Sequence, residues 1–221
     1  LQKDKIELVF EGLDTYADVY VNRIRVMTSD NMHRSWSASV KSVLKPGRNE
    51  IRVHFHSTVK TGQKKLNGSP YLIPASNEPA EIGKQTSVFT RKAQYHYGWD
   101  WSPRLVTSGI WRPVYLRLWD WARITDAYFH QETQSDAEAT LELFVDGIRT
   151  TALAEVDLKK GINIFHLPFS INHPDLWWPN GLGNQKLYKM NVTLTRQNTV
   201  ISNHSESVGV RTIELKSASD S

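Results

Sequence analysis

Short segments in which apolar residues fall two positions apart recur along the first half of this chain, and they limit what it can fold into. Ile6, Leu8 and Phe10 are spaced in this way, and residues 49–55 repeat the same period. Pro46 and Gly47 precede that second segment, where proline fixes one corner of a turn and glycine supplies the positive φ of the next. Short strands separated by turns predict an antiparallel sandwich or barrel.

A second set of strand candidates begins at Ile124, after a seam at residues 119–122. The candidates are residues 124–133, 138–145, 152–158, 162–168, 187–196, 200–208 and 210–216. Seven short strands are the number expected of an immunoglobulin-like sandwich, here of a disulfide-free type because the chain has no cysteine. The sequence therefore predicts an all-β chain of two domains, residues 1–122 and 123–221. It predicts no helix of ten residues with an amphipathic stripe.

Residues 58–104 interrupt the rhythm of the first half with several prolines and little periodicity. A connection longer than about 15 residues inside a compact domain usually has a functional role or is disordered. Aromatic residues cluster at its far end, in residues 91–104 (RKAQYHYGWDWSPR), which argues against disorder there.

Residues 91–104 have the composition of a sugar-binding loop. Two tyrosines, two tryptophans, a histidine and an aspartate surround Gly98, with the spacing of neither a core strand nor an amphipathic helix. A flat aromatic face packs against the C–H face of a sugar ring, and a carboxylate accepts hydrogen bonds from paired hydroxyls. Residue types alone leave open a second interpretation, a buried aromatic corner whose aspartate caps a turn.

Composition narrows the possible partners. The net charge of +4 comes from 27 basic and 23 acidic residues, and the basic residues are scattered rather than gathered in the stripe that nucleic acid requires. No apolar run approaches the roughly 20 residues of a membrane span. His54 and His56 share one strand face, but two ligands do not complete a zinc site, so a solvated face is the favoured interpretation. We expect no metal, no nucleic acid and no membrane.

Four motifs, in order, resemble the non-catalytic N-terminal domains of family 2 glycoside hydrolases. They are residues 8–22 (LVFEGLDTYADVYVN), 109–116 (GIWRPVYL), 175–188 (DLWWPNGLGNQKLY) and 208–212 (VGVRT). The resemblance implies a jelly-roll, sugar-binding-like sandwich over residues 1–122, expected to lack its first strands, followed by an immunoglobulin-like sandwich over residues 123–221. In the second domain, Trp177 and Trp178 are expected to pack within a turn rather than to contact a ligand.

Residues 91–104 resemble the β-mannosidases of that family, in which this loop helps to line the mannose pocket. The resemblance assigns substrate contact to Trp99 and Asp100. Supporting roles in the loop are expected for His96, Trp101 and Arg104. Ser102 departs from the pattern, which more often has glycine there, and this puts only the backbone geometry at that position in question.

The resemblance implies that the catalytic groups lie elsewhere. Retaining glycosidases use two carboxylates, which in this family are glutamates on a (β/α)₈ barrel of about 250 residues. We therefore expect an N-terminal fragment of a retaining β-mannosidase, without catalytic residues or a cofactor and inactive alone, whose parent removes terminal non-reducing β-D-mannose from glycans. Alternatives are a stand-alone carbohydrate-binding or scaffold protein, or another family 2 glycosidase. A bacterial periplasmic or secreted location is expected, with a lysosomal one as the alternative.

Overall fold

The computed structural model describes residues 1–131, 136–145, 150–151, 157–158, 160–170, 173–196, 198–215 and 217. They form two compact units, Leu1–Leu118 and Trp119–Ser221. Strands dominate both units, so the all-β prediction is confirmed. No helix in the described ranges has the length and apolar character needed to cross a membrane.

The first unit contains strands β1 to β8, one α-helix and three 3-10 helices. The strands are β1 (Lys5–Phe10), β2 (Leu13–Asp14), β3 (Tyr16–Val21), β4 (Ile24–Asp30), β5 (Trp36–Ser39), β6 (Ile51–Phe55), β7 (Gly109–Ile110) and β8 (Val114–Trp119). The helices are α1 (Thr58–Asn67) and the 3-10 turns Lys41–Val43, Ser87–Phe89 and Gln94–Tyr97.

Two three-stranded sheets, ordered β5-β1-β8 and β4-β3-β6, enclose the core of the first unit. The side chains of β1 and β3 at every second position share a face, and those facing inward form one buried cluster. Its buried members are Ile6, Leu8, Phe10, Leu13, Val19, Val21, Met27 and Val40. Fully burying one such aliphatic or aromatic side chain stabilises the fold by about 1.5–3 kcal/mol.

Helix α1 corrects the prediction that the chain has no ten-residue helix with an amphipathic stripe, because it has ten residues and buries one face. Ser57 caps it by accepting a hydrogen bond from the Lys60 amide at 3.2 Å. Its buried residues are Thr58, Gly62 and Leu66, four positions apart. Because only one of these three is strongly apolar, the sequence shows no hydrophobic period here. The buried face nevertheless packs closely against Thr86, since a Cβ added at Gly62 would lie 2.8 Å from Thr86 Cβ.

The second unit contains strands β9 to β15. They are β9 (Ala122–Gln131), β10 (Asp136–Val145), β11 (Thr150–Thr151), β12 (Asp157–Leu158), β13 (Gly161–Ser170), β14 (Tyr188–Arg196) and β15 (Thr199–Val208). A sheet ordered β13-β10-β9 and the pair β14-β15 are both antiparallel. Ala122 and Ile124 are buried between them, against Phe165, Val192 and Ile201.

In the second unit, one predicted strand is absent and another is described only in part. The strand predicted at residues 210–216 is wrong: the described residues 209–215 form no strand, and the Val210 carbonyl accepts a hydrogen bond from the Trp177 amide at 2.8 Å. Val210 is buried, so its apolar side chain anchors a loop. Of the strand predicted at residues 152–158, only the end at 157–158 is described as strand, and residues 152–156 lie outside the described residues.

Candidate functional site

Residues 98–102 form a tight hairpin turn that presents Asp100. A 3-10 helix over Gln94–Tyr97 leads into Gly98. The Ser102 amide donates to the Trp99 carbonyl at 3.0 Å, and the Trp99 amide donates to the Ser102 carbonyl at 3.3 Å. Asp100 and Trp101 therefore occupy the two central positions of the turn.

The tip of this turn is exposed, which excludes the buried-corner interpretation for the side chains of Trp99, Asp100 and Trp101. Trp101 is 82% exposed, Trp99 is 41% exposed, and Asp100 is also exposed. Tyr97, just before the turn, is fully buried, and burial is the main cause that raises the pKa of its hydroxyl. An aromatic face beside an accessible carboxylate thus projects from a buried base.

The base of the turn packs against residues 77–79. Gly98 has φ of +115°, in a region that L side chains rarely adopt. A Cβ built on Gly98 would lie 2.5 Å from Pro79 Cδ. Glycine is therefore required at this position both for its backbone conformation and for the close approach to Pro79.

Glu78 is a buried carboxylate that sequence reasoning missed. Its side chain is 1% exposed, and its Oε2 accepts hydrogen bonds from the amides of Thr86 and Ser87, both at 2.8 Å. The other oxygen, Oε1, lies 3.1 Å from an Arg104 guanidinium nitrogen. The same guanidinium stacks over Tyr97, 5.6 Å from the ring centroid. Arg104, predicted to support the loop, is thus joined to residues 78, 86 and 87.

Lys92 and Asp14 form a second buried ion pair, at the start of the segment. The Lys92 side chain is fully buried and its ammonium donates to Asp14 Oδ2 and, at 2.9 Å, to the Thr107 carbonyl. Burial lowers the pKa of Lys92, and the hydrogen bond and charge of Asp14 oppose that shift. Because Asp14 lies at the end of β2, the pair attaches the aromatic segment to the sheet.

His96 lies beside this ion pair. Its Nδ1 is 3.7 Å from Asp14 Oδ2 and 3.5 Å from the Thr107 hydroxyl, and its ring meets Tyr95 edge-on at 4.7 Å. Burial is the main cause that lowers the pKa of His96; the Lys92 charge adds to it and the Asp14 charge opposes it. These contacts suit the supporting position predicted for His96.

Asp14 and Glu78, the two buried carboxylates of the first unit, are both occupied by structural partners. Thr15 and Lys92 contact the oxygens of Asp14, and Arg104 with two backbone amides satisfies Glu78. A retaining glycosidase needs two free carboxylates about 5–5.5 Å apart. Neither of these buried groups is available for that chemistry.

The described residues contain no group of three or more His, Cys, Asp or Glu side chains arranged to hold a metal ion. His54 and His56 do share a face, with ring centroids 4.7 Å apart. His56 Nε2 lies 2.8 Å from Asp18 Oδ2, so this histidine is engaged with a carboxylate of the neighbouring strand.

Trp177 and Trp178 take different positions in the second unit. The Trp177 backbone pairs with Val210, and a Cβ added at Gly209 would lie 3.0 Å from its side chain, so Trp177 packs against residues 209–210 rather than within its own turn. Trp178 packs against Gly183 but is 42% exposed. Packing therefore accounts for the first tryptophan and only partly for the second.

The fold and the candidate site define the class of this chain: a protein of two all-β units, one of which carries an exposed aromatic and acidic turn. Comparison with known families identifies the family. The profile described as "Glycosyl hydrolase 2 galactose-binding domain-like" matches residues 1–112, and that of "Glycosyl hydrolases family 2" matches residues 123–211. The chain belongs to glycosyl hydrolase family 2. The predicted jelly-roll and immunoglobulin-like sandwiches are confirmed.

Similar proteins include fungal and bacterial β-mannosidases. "Beta-mannosidase B" of Aspergillus oryzae is 30% identical over 95% of this chain, and that of Thermothelomyces thermophilus is 33% identical over 94%. A β-D-mannosidase from Dictyoglomus thermophilum has a similar structure, with a TM-score of 0.83 and 31% identity over 97% of this chain. The exo-chitosanase of Amycolatopsis orientalis, with 18% identity and a TM-score of 0.66, shares the fold.

This chain spans about a quarter of those relatives. It covers 26% of each of the two fungal proteins and 28% of the Dictyoglomus chain. The two sandwiches thus correspond to a portion of much longer proteins.

Proposed function

We propose that this chain is the N-terminal portion of a retaining β-mannosidase whose whole protein hydrolyses terminal non-reducing β-D-mannose residues of glycans. The Trp99–Ser102 turn carries the proposal, because it presents Asp100 and an aromatic face outward from a base anchored by buried ion pairs. Identity of about 30% to β-mannosidases over nearly the whole chain supports the same substrate class.

Asp100 would accept hydrogen bonds from two neighbouring hydroxyls of the terminal mannose. A carboxylate has four lone-pair sites and can accept both at once, and charge-assisted hydrogen bonds are about twice as strong as neutral ones. Trp99 would lie against the C–H face of the sugar ring, which a flat indole matches in shape. Both side chains are exposed and free to make these contacts.

Catalysis itself would come from a part of the protein beyond these two sandwiches. Retaining hydrolysis uses one carboxyl group as the nucleophile and a second as the acid and base. In the proposed enzyme both are glutamates on a (β/α)₈ barrel, and this chain supplies one wall of the pocket. The 221-residue chain alone would therefore be inactive.

An assay of the full-length protein tests this proposal. We expect hydrolysis of an aryl β-D-mannoside, with far lower kcat/KM for the corresponding β-D-galactoside and β-D-glucuronide, and no hydrolysis by the 221-residue chain. Preference for a galactoside or glucuronide would reassign the protein to another family 2 glycosidase. Hydrolysis by the short chain would contradict the assignment of the catalytic groups.

The exposed aromatic tip also fits a second function, that of a stand-alone carbohydrate-binding protein, since Asp100 and Trp101 are accessible without another domain. Calorimetric titration of the 221-residue chain with mannose separates the two. Dissociation constants in the millimolar range or tighter would favour the binding protein. The absence of measurable binding would favour the enzyme portion, in which only half of the pocket is present.

A further inference from the structure

The Trp99–Ser102 turn is held at both ends by one short stretch of chain, residues 77–79. At its start, Gly98 lies directly against Pro79, with no room for a Cβ between them. Beyond its end, Arg104 pairs with Glu78 at 3.1 Å. Neighbouring residues therefore fix the two ends of the loop that carries Asp100.

The Glu78 carboxylate is held in place by contacts other than the one with Arg104. Its Oε2 accepts from two successive backbone amides, Thr86 and Ser87, at the start of a 3-10 helix. The carboxylate is 1% exposed, so it cannot exchange these partners for water without being withdrawn from the interior. Arg104 is 30% exposed and approaches from the solvent side. The rigid partner in this pair is Glu78, and the adjustable one is Arg104.

We propose that Glu78 is a positioning residue for substrate binding: by holding Arg104 it fixes the turn that carries Trp99 and Asp100. The role rests on the proposed function of that turn. Glu78 does not contact the sugar and acts only through the positions of Trp99 and Asp100. Binding groups must be held within about 0.5 Å of their productive geometry by the residues behind them, which is the requirement that Glu78 would meet.

Glu78→Gln is the variant that isolates this role. Glutamine keeps the size of glutamate and one acceptor oxygen, which can stay with the amides of Thr86 and Ser87. Its NH₂ group then faces the Arg104 guanidinium, donor against donor, and the turn loses its anchor. Glu81→Gln is the matched control, since Glu81 lies three residues away and pairs with Lys84 at 2.6 Å on the surface.

The first measurement follows the turn directly, by hydrogen exchange with mass spectrometry on the full-length protein. The amides of Trp99 and Ser102 are hydrogen-bonded within the turn, so they should be protected. We expect exchange in residues 98–104 to accelerate about tenfold or more in Glu78→Gln and to stay unchanged in Glu81→Gln. Unchanged exchange in Glu78→Gln would overturn the positioning role, whatever the protein hydrolyses.

The second measurement is a double-mutant cycle of kcat/KM on a β-mannoside. Glu78→Gln should lower kcat/KM by about tenfold or more, because a displacement of about 1 Å can cost on the order of 10² in rate. In a background that carries both Trp99→Ala and Asp100→Ala the same change should cost less than about twofold, since Glu78 acts through these two residues. An equal loss in both backgrounds would make Glu78 a stabilising residue only and would overturn the proposal.

The two measurements separate this inference from the proposed function. Faster exchange in Glu78→Gln together with wild-type kinetics in Asp100→Ala would mean that Glu78 orders the turn but that the turn does not bind the sugar. Should Glu78→Gln fail to accumulate, Arg104→Gln releases the turn while leaving Glu78 bonded to Thr86 and Ser87. It should give the same exchange and the same kinetic pattern, and wild-type behaviour of this variant would overturn the proposal.

Discussion

Two ionisable side chains of the aromatic segment lie in opposite environments, and this difference separates contact from support. Asp100 is exposed at the tip of the turn, where its carboxylate is free to accept hydrogen bonds from a ligand. His96 lies four residues earlier, half-buried between the Asp14 carboxylate and the Thr107 hydroxyl. The exposed Asp100 carboxylate is placed to bind a ligand, and the titration of the enclosed His96 should make folding stability depend on pH.

The titration of His96 should make folding stability depend on pH. The folded-state pKa lies below the ordinary value of 6.5, mainly because of burial. Between the two values the unfolded chain binds more protons, so stability falls as pH drops from about 6.5 through the lowered pKa, and above about 6.5 nothing is lost. His96→Gln should therefore lose less stability than the wild type between about pH 7.5 and about pH 5.5, measured by urea unfolding. Equal losses in the two proteins would contradict this.

At the residue scale, the sequence predicted the aromatic segment but not its anchors. Gly98 and the run of aromatic residues around it are adjacent in sequence, so a turn there could be inferred from local chemistry. Glu78 lies 26 residues before Arg104, and nothing in its neighbours indicates burial. Its role depends on the tertiary approach of two segments, which local patterns do not encode.

At the scale of elements, the aromatic segment is joined to the sheet through Lys92. This side chain crosses to Asp14 at the end of β2 and is fully buried there. Taking two charges out of water is costly, and their mutual attraction offsets that cost only while both partners are present. Replacing either Lys92 or Asp14 should therefore weaken the contact that attaches the segment to the sheet.

Lys92→Met should lower the free energy of unfolding of the first unit by about 3–5 kcal/mol, because it leaves the Asp14 carboxylate buried without its charge partner. Lys84→Met is the matched control: Lys84 is 68% exposed and its pair with Glu81 is screened by solvent, so a change within about 0.5 kcal/mol is expected. Urea unfolding of the 221-residue chain measures both. Equal stability of the two variants would mean that the buried pair does not hold the segment.

Strands were predicted more successfully than the helix, for a physical reason. The period of two in β1 and β6 follows from a sheet with one face on a core, and the sequence displays it directly. Helix α1 buries Thr58, Gly62 and Leu66, and Gly62 lies so close to Thr86 that a larger residue would not fit there. Because only one of the three is strongly apolar, the stripe leaves no hydrophobic signal, and α1 could be recognised only from the structure.

At the scale of the whole molecule, the exposure of the aromatic turn requires explanation. Trp101 is the most exposed tryptophan among the described residues. Tyr95 in the same segment and Leu105 just after it are 61% and 63% exposed. Exposed apolar clusters commonly mark surfaces that another domain or a ligand covers. In the proposed enzyme, the catalytic domain and the substrate cover this one.

Acrylamide quenching of tryptophan fluorescence tests whether the turn is covered in the full-length protein. Trp101→Phe should remove a large quenchable fluorescence component from the 221-residue chain, since the indole is 82% exposed there. The same substitution in the full-length protein should remove a much smaller one, because the turn would be enclosed. A component of equal size in both proteins would show that the turn stays in solvent in the complete molecule.

The order of the motifs allowed the whole molecule to be placed in its family from sequence, since residues 8–22, 109–116, 175–188 and 208–212 lie along both units. The strand predicted at residues 210–216 failed because Val210 is buried in a loop against the Trp177 backbone instead. An apolar run of that length fits a strand or a buried loop equally well until the packing is known.

The kinetics of Asp100→Ala in the full-length protein test whether the Trp99–Ser102 turn belongs to the substrate pocket. If Asp100 binds the terminal mannose, kcat/KM for a β-mannoside should fall by on the order of 10² or more, because a charge-assisted hydrogen bond contributes about 1.5–3 kcal/mol and this carboxylate would make two. Glu81→Ala, which removes an exposed carboxylate of the same unit, should leave kcat/KM within about twofold of the wild type. Wild-type kinetics in Asp100→Ala would contradict the assignment of the turn to the substrate pocket.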